Sequence, residues 1–380
     1  MKHTQKIFIM AGEASGDMHG GLLVNAIKKL SKDIGFYGVG GENLNKEKVK
    51  LIYNYKDFAS MGMIEPLLKL SFYKKALNNI LEFVLSKGIN TVILIDFPGF
   101  NLRLAEKLKK SNIQIIYYIS PQIWAWHYSR IEKIKKYVDA MIVLYPFEEE
   151  IYRKEGVKVF FAGNPLVDLV SSGLSGARST AAGSTGRCIG ILPGSRLSEV
   201  KRHLPAMLDA AVILQKKYGA SFLLPLIKGE AIDFVKLYMS NPAYSELKIR
   251  IISDNTYKAI KKCDFIIISS GTATLETAII GKPMIVVYKI DLFSELIARL
   301  VLKIKNIALV NIVAGKRICT ELLQRNVTGK KIFLEVSRYL DNKSLLNDMI
   351  KNIADVKRKL GKPNAINRIA KIVLSLLNDQ

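Results

Sequence analysis

The sequence predicts an α/β protein of two domains, each a parallel sheet covered by helices, joined by a linker. Three observations carry that prediction. Short apolar segments alternate with amphipathic ones over residues 1–168. The alternation stops at 171–188, SSGLSGARSTAAGSTGRC, where Ser, Gly, Thr and Ala dominate and no apolar period survives, which is linker composition. It restarts at residue 189. At 380 residues two or three domains are expected, and 49% hydrophobic residues can fill their cores.

The elements follow in order. KIFIMAG leads into GGLLVNAIKKL, TVILIDF into NLRLAEKLKKS, IQIIYYIS into RIEKIKKYV, and AMIVLY into PFEEEIYRKE. After the linker come the apolar runs CIGILPG, SFLLPLI, KIRIIS, DFIIISSG and PMIVVYK. Runs this rich in Val and Ile are buried on both faces, and that burial belongs to parallel sheets flanked by helices. NDMIKNIADVKRKLG and NAINRIAKIVLSLL read as two helices split by Pro363. The expected division is a first domain over 1–168 completed by C-terminal helices at 350–380, the linker at 171–188, and a second domain over 189–349.

Lys and Arg number 57 against 33 acidic residues, a net charge of +24. Such an excess attracts phosphates on nucleic acid, anionic lipid or small ligands; a merely Lys-rich solvated surface explains it equally well. Cys188, Cys263 and Cys319 make neither a disulfide framework nor a metal spacing, and a reducing cytoplasm suits them. His3, His19, His127 and His203 form no zinc pattern, so neither a metal nor a cofactor is expected. The N-terminal apolar run is too short for a signal peptide, and no stretch reaches the roughly 18 uninterrupted apolar residues of a spanning helix. No helix-turn-helix pattern or aromatic-interleaved basic strand suggests nucleic acid.

Ligands of open α/β sheets bind outside the carboxyl ends of the strands. Four such ends are unusual. AGEASGD (11–17) offers Glu13, Ser15 and Asp17 on a tight, small-residue turn, or simply a capped helix N-terminus. LIDFPGFN (94–101) ends an apolar strand on Asp96, where partial shielding would raise a carboxylate toward the range of a general base; capping the Pro98-Gly99 turn is the alternative. ISPQIWAWHYSR (119–130) sets Trp124 and Trp126 beside Gln122, His127 and Arg130. That suits a sugar or an acyl chain in a loop, against the alternative of a core strand. PGSR (193–196) places Gly194, Ser195 and Arg196 where a helix N-terminus favours anions, and it is not a nucleoside-triphosphate P-loop. A second such corner, ISSGTATLE (268–276), brings Ser270, Gly271, Thr272 and Thr274, with Glu276 able to take two ribose hydroxyls. Two phosphate-type corners without a carboxylate cluster point to a nucleoside diphosphate held by dipoles and Arg, without a metal.

In this order, AGEASGD, DFPGFN, SPQIWAW, GNPLVD, LPGSRLSEV and SGTATLE resemble the lipid-A-disaccharide synthase family over nearly the whole chain. The resemblance implies a GT-B fold: two Rossmann-like domains facing a cleft, the second binding a UDP-sugar. It implies an inverting, metal-independent transfer of 2,3-diacylglucosamine from its UDP conjugate to 2,3-diacylglucosamine 1-phosphate, giving the β(1→6) disaccharide 1-phosphate of lipid A. By motif, Asp96 matches the family's base, and Arg196 and Glu276 match UDP-binding positions. Asn311 in ALVNIVAG matches a position near the nucleotide sugar, and Glu321 and Gln324 lie in the matching TELLQ. Three positions depart from the family's habit: His127 stands where Arg is common, Asn164 where His is common, and Val310 where Pro often precedes the Asn. Acylated substrates imply a peripheral enzyme on the cytoplasmic face of the inner membrane, meeting an anionic surface; a homodimer is left open. MGMIEPLLKLSFYKKALNNILEFV (61–84) and LFSELIARLVLKIKN (292–306) are candidate interfacial segments, the first equally readable as an ordinary buried helix. Rival readings are another UDP-sugar enzyme of the same fold, such as an epimerase or the transferase of lipid-linked peptidoglycan precursors, and a non-catalytic basic protein.

Overall fold

The computed structural model describes residues 5–58, 70–175, 187–226, 229–253, 255–290 and 306–378. The chain divides into two compact units, 1–165 with 362–380, and 166–361. In the first unit seven parallel strands lie in the order β3-β2-β1-β4-β5-β6-β7. They are β1 (Gln5–Ala11), β2 (Ile34–Gly40), β3 (Lys50–Asn54), β4 (Thr91–Ile95), β5 (Gln114–Tyr118), β6 (Ala140–Val143) and β7 (Val159–Phe161). In the second unit six parallel strands lie in the order β10-β9-β8-β11-β12-β13. They are β8 (Cys188–Leu192), β9 (Ser221–Pro225), β10 (Ile249–Ile252), β11 (Phe265–Ser269), β12 (Met284–Tyr288) and β13 (Glu321–Leu323). Both orders run outward from the first strand and then reverse, the doubly wound arrangement whose reversal opens a crevice at the strand carboxyl ends. The reversals fall between β1 and β4, where Ile9 pairs with Ile93, and between β8 and β11, where Ile191 pairs with Ile267.

Burial on both faces accounts for the apolar runs. Phe8, Met10, Val92, Leu94, Ile115 and Tyr117 join one core cluster with Ala76, Leu77, Ile80 and Val84 of helix Leu70–Ser86. The alternate residues Ile7, Ile9, Ile93, Ile95 and Ile116 are equally buried. On the reverse side helix Ala14–Leu30 packs against Ala365–Asn378.

The observed division differs from the sequence expectation at both ends. Helix Leu166–Leu174 belongs to the second unit, where Asn255 Nδ2 donates to Gly173 O at 3.1 Å. Helix Lys343–Lys359 also stays in the second unit, with Met284 N donating to Met349 Sδ at 3.3 Å. Only Ala365–Asn378 returns to the first, tied by Gln114 Nε2 to Leu376 O at 2.9 Å and Arg368 Nε to Ala162 O at 2.8 Å. Amphipathic period says that a helix buries one face, not which of two similar sheets receives it. Of the expected linker, 171–174 finish a helix, 176–186 lie outside the described residues, and Cys188 already begins β8. Among the described residues no helix is long and apolar enough to cross a membrane.

Candidate active site

At the reversal of the first sheet the backbone turns in an expensive way. Asp96 (φ 46°) and Phe97 (φ 47°) are both left-handed, and neither is glycine. Such residues cost about 1–3 kcal/mol each and persist only when their surroundings over-determine them. Here they do. Asp96 N donates to Tyr118 O at 3.1 Å. Its own carbonyl accepts from Tyr117 Oη and Asn101 Nδ2, both at 2.7 Å. Pro98 then starts helix Pro98–Lys109, with Asn101 N returning to Phe97 O at 3.0 Å. The Phe97 ring sits against the first turn: a Cβ on Gly12 would come within 2.4 Å of it. That contact brings the 11–17 and 96–101 segments together. Burial first and the Glu13 charge second raise the Asp96 carboxyl, a bond from the Phe97 amide opposes both, and the net is a value of about 6.

The other expected residues of this unit separate into two groups. Glu13 and Ser15 are exposed on the turn beside Asp96. Asp17 is turned inward instead. It is buried, and it accepts from Gly41 N, Asn43 N, Asn43 Nδ2 and Leu44 N at 2.6–3.1 Å. It therefore clamps the loop after β2. The 119–129 segment is an irregular loop, with Ile119 (φ 66°) and His127 (φ 54°) left-handed. Gln122 is exposed on it; Trp124 is half-buried, and its Nε1 donates to Glu148 Oε1 at 3.1 Å. Arg130 lies over the exposed Trp126 ring, 5.1 Å from its centroid.

The second unit holds a cavity of about 720 Å3 at the carboxyl ends of β8, β11 and β12. Seven of the expected residues line it: Gly194, Ser195, Arg196, Ser270, Gly271, Thr272 and Glu276. Gly194 adopts φ 132°, a conformation that favours glycine, and a Cβ there would meet the Glu199 Cβ at 2.5 Å. Glu199 was not anticipated as a site residue. Its Oε2 accepts from Ser195 N at 2.9 Å and Arg196 N at 3.3 Å, and its Oε1 pairs with Arg196 Nη1 at 3.1 Å. The amides offered to phosphate are thus taken by the protein's own carboxylate, which occupies an anion's place at the helix N-terminus. His203 was likewise missed. Lys289 N donates to its Nε2 at 3.0 Å, so Nδ1 carries the proton and donates to Pro193 O at 2.8 Å. That neutral imidazole, its pKa lowered by burial, pins the PGSR turn to the end of β12. Glu276 accepts from Tyr257 Oη at 2.9 Å; burial raises its pKa, and that bond opposes the rise.

Four further expected residues of this unit make bonds within the protein. Thr274 is fully buried and donates to Gly271 O at 2.8 Å. Asn311, also fully buried, spends its amide on Cys319 O, Glu321 Oε1, Ile318 N and Cys319 N. Glu321 holds Ile307 N and Ala308 N at 2.9 and 3.1 Å, and Gln324 Oε1 takes Ile290 N at 2.8 Å. The Asn311, Glu321 and Gln324 side chains shape the 306–324 region through these bonds, and Thr274 braces the 270–274 corner.

The chain matches the family model for lipid-A-disaccharide synthetase over residues 7–373. It is 39% identical to the lipid-A-disaccharide synthase of Syntrophus aciditrophicus and 36% to that of Trichlorobacter lovleyi, covering 98% or more of this chain and 98% of each relative. The chain belongs to the lipid-A-disaccharide synthase family. As a member of that family it is a glycosyltransferase of lipid A biosynthesis. Solved structures agree on its GT-B fold. A UDP-GlcNAc 2-epimerase from Neisseria meningitidis, bound to UDP-GlcNAc, superposes with a TM-score of 0.63 at 13% identity, covering 99% of this chain and 100% of that one. MurG from Acinetobacter baumannii gives 0.61 at 12% identity, with 98% and 99% covered. At such identities the likeness concerns fold alone, and the family match separates this synthase from the epimerase reading.

Proposed function

We propose that the chain transfers 2,3-diacylglucosamine from its UDP conjugate to the 6-hydroxyl of 2,3-diacylglucosamine 1-phosphate, with inversion and without a metal. Asp96 takes the hydroxyl proton as the oxygen bonds to the anomeric carbon. The bond from that carbon to the UDP oxygen breaks, and UDP leaves with the electron pair. One direct displacement requires one base and a stabilised leaving group. The observation that carries the reading is Asp96 itself: a carboxyl raised to about 6, held at the sheet reversal in a backbone conformation that only tight packing sustains. The cavity of the second unit supports UDP there, with Arg196 and Ser195 toward the diphosphate and Glu276 toward the ribose. For the diphosphate to reach the Ser195 and Arg196 amides, Glu199 must give way. Mass spectrometry and proton NMR of the product from the two acylated sugars test this. A β-linked disaccharide 1-phosphate with equimolar UDP is expected, and an α linkage or free acylglucosamine would overturn it.

Acylated substrates also require a meeting with lipid, and the +24 charge favours an anionic membrane surface on the cytoplasmic side. Leu70 and Leu85, at the two ends of helix Leu70–Ser86, are about half exposed. The rest of the first candidate segment, 61–69, and all of the second but Asn306, 292–305, lie outside the described residues. Co-sedimentation with anionic vesicles should weaken as salt rises. Equal binding to neutral vesicles would remove the electrostatic part.

A further inference from the structure

Glu148 is an unusual helix-capping residue. It occupies the third position of helix Pro146–Lys154, where Glu commonly reaches back to the N-cap amide, and its Oε2 accepts from Tyr145 N at 3.2 Å. Such a cap normally sits in water, yet Glu148 is only 2% exposed. Its other oxygen faces a different part of the chain. Oε1 accepts from Ser120 Oγ at 2.9 Å and Trp124 Nε1 at 3.1 Å. Among the described residues no Lys or Arg lies within ion-pair distance of it. A buried carboxylate without a cation is costly, and capping alone would not demand it.

Ser120 and Trp124 belong to the loop after β5, and β5 pairs with β4, which Asp96 directly follows. The loop begins with Ile119 at φ 66°, a strained conformation for a β-branched residue. It therefore needs an external hold. Tyr152 Oη supplies one bond, to Pro121 O at 3.0 Å, and the Phe147 ring meets Trp124 edge-on at 5.2 Å. Glu148 supplies two more from one oxygen. We propose that Glu148 is a positioning residue for the transfer reaction, its carboxylate fixing the loop that carries Gln122 and Trp124 beside the Asp96 corner. This rests on the reaction proposed above.

Burial raises the Glu148 carboxyl to about 7 despite its hydrogen bonds. The hydrogen bonds around it oppose that rise without cancelling it. Tyr145 and Tyr152 are buried neutral hydroxyls; Asp96 acts on the first, and Arg130 and Tyr128 on the second. Once protonated, the carboxyl is a weaker acceptor for Trp124 Nε1 and Tyr145 N, and its own hydrogen has only the Ser120 hydroxyl to turn to, so the hold on the loop weakens. Because the folded-state value lies above the usual carboxylate range, the change falls near neutral pH.

Trp124 and Trp126 are the only tryptophans, so W126F leaves Trp124 as a sole reporter. In W126F, tryptophan emission should show one transition near pH 7. W126F/E148Q should lack it, and W126F/S120A, having lost one donor to the ionised form, should show it at higher pH. In kinetics, E148Q should lower kcat/KM for the acceptor about tenfold, leave UDP affinity unchanged, and lose the pH-rate limb near 7. No transition in W126F, or a transition or pH limb that survives E148Q, overturns the proposal. Should E148Q fail to fold, S120A decides, and an unmoved midpoint overturns it. The emission arm uses no substrate, so it judges the loop even if the wild-type enzyme makes no disaccharide.

Discussion

The two sheet reversals solve the same problem in opposite ways. In the first unit the turn after β4 puts non-glycine residues, Asp96 and Phe97, into left-handed backbone and fastens them with Tyr117, Asn101 and a ring packed on Gly12. In the second unit the left-handed positions after β8 and β11 are Gly194 and Gly271, and the corner opens into a cavity. Strain is kept where a side chain has to project at one fixed angle, and relieved where the backbone itself has to face a ligand. On the proposed reaction, one region holds the base and the other the diphosphate. The difference implies that damage to the first should appear in turnover, and damage to the second in nucleotide affinity.

The largest expected effect comes from Asp96→Asn, which keeps the shape and removes the basicity. It should lower kcat by about 10²–10⁴-fold, the range for general acid–base catalysis, and leave UDP affinity unchanged. In the wild type, kcat should rise with pH through about 6 as Asp96 ionises. Stability should move the other way. The folded-state value lies above the ordinary 3.8, so the native state binds the extra proton between 3.8 and 6. The cost of burying the charge is therefore fully present above pH 6, shrinks as pH falls, and vanishes below 3.8. That cost is of the order of 2–3 kcal/mol. Asn escapes it and also tolerates left-handed backbone well. The variant should melt above wild type at pH 8, and the two should converge toward pH 4. Near-normal turnover would remove Asp96 from the mechanism; a lower melting temperature at pH 8 would refute the account of its strain.

Arg196→Ala probes the other corner. Losing a charged hydrogen bond to the diphosphate should weaken UDP binding by roughly 1.5–3 kcal/mol, about 10–100-fold. Turnover at saturating donor should change only a few-fold. Titration calorimetry with UDP alone reads the first quantity, and unchanged affinity would exclude the role. A loss confined to kcat would collapse the contrast between the corners.

Much of this was legible in the sequence, and the parts that were not share a physical reason. Apolar runs and their breaks reveal the two sheets because strands buried on both faces leave an unambiguous pattern. Asp96, Arg196 and Glu276 could be picked out because each sits at or just beyond the end of such a run. Asp17, Thr274, Asn311, Glu321 and Gln324 sit in equally specific motifs, yet each bonds other groups of the protein. A motif says that a residue type is required; it does not say whether the side chain faces ligand or protein. The opposite miss is Glu148, one acidic residue in a helix start that holds three. Its Glu-at-third-position spacing signalled a cap, but burial against a loop over twenty residues earlier left no mark in the sequence.

The smallest expected effect is from chelation. Activity in EDTA should stay within about twofold of the untreated rate. Neutralising a departing diphosphate requires positive charge, and two sources of it exist in the second unit: the start of helix Leu197–Tyr218 and the Arg196 guanidinium. A divalent cation would need free carboxylates near the phosphates, and the cavity offers Glu199 and Glu276. Glu199 is bound to two amides and Arg196, and Glu276 to Tyr257 Oη. Recruiting either for a metal would strip the corner of a bond it already makes. If Glu199 does swing away when UDP arrives, however, its freed carboxylate would be the one ligand close enough to matter. E199Q in EDTA separates the two accounts. With no metal involved, the variant should be as indifferent to EDTA as the wild type. Wild-type activity lost in EDTA and restored by Mg²⁺, with E199Q needing far more Mg²⁺ for the same recovery, would make the second unit a metal site after all and erase half of the contrast between the two corners.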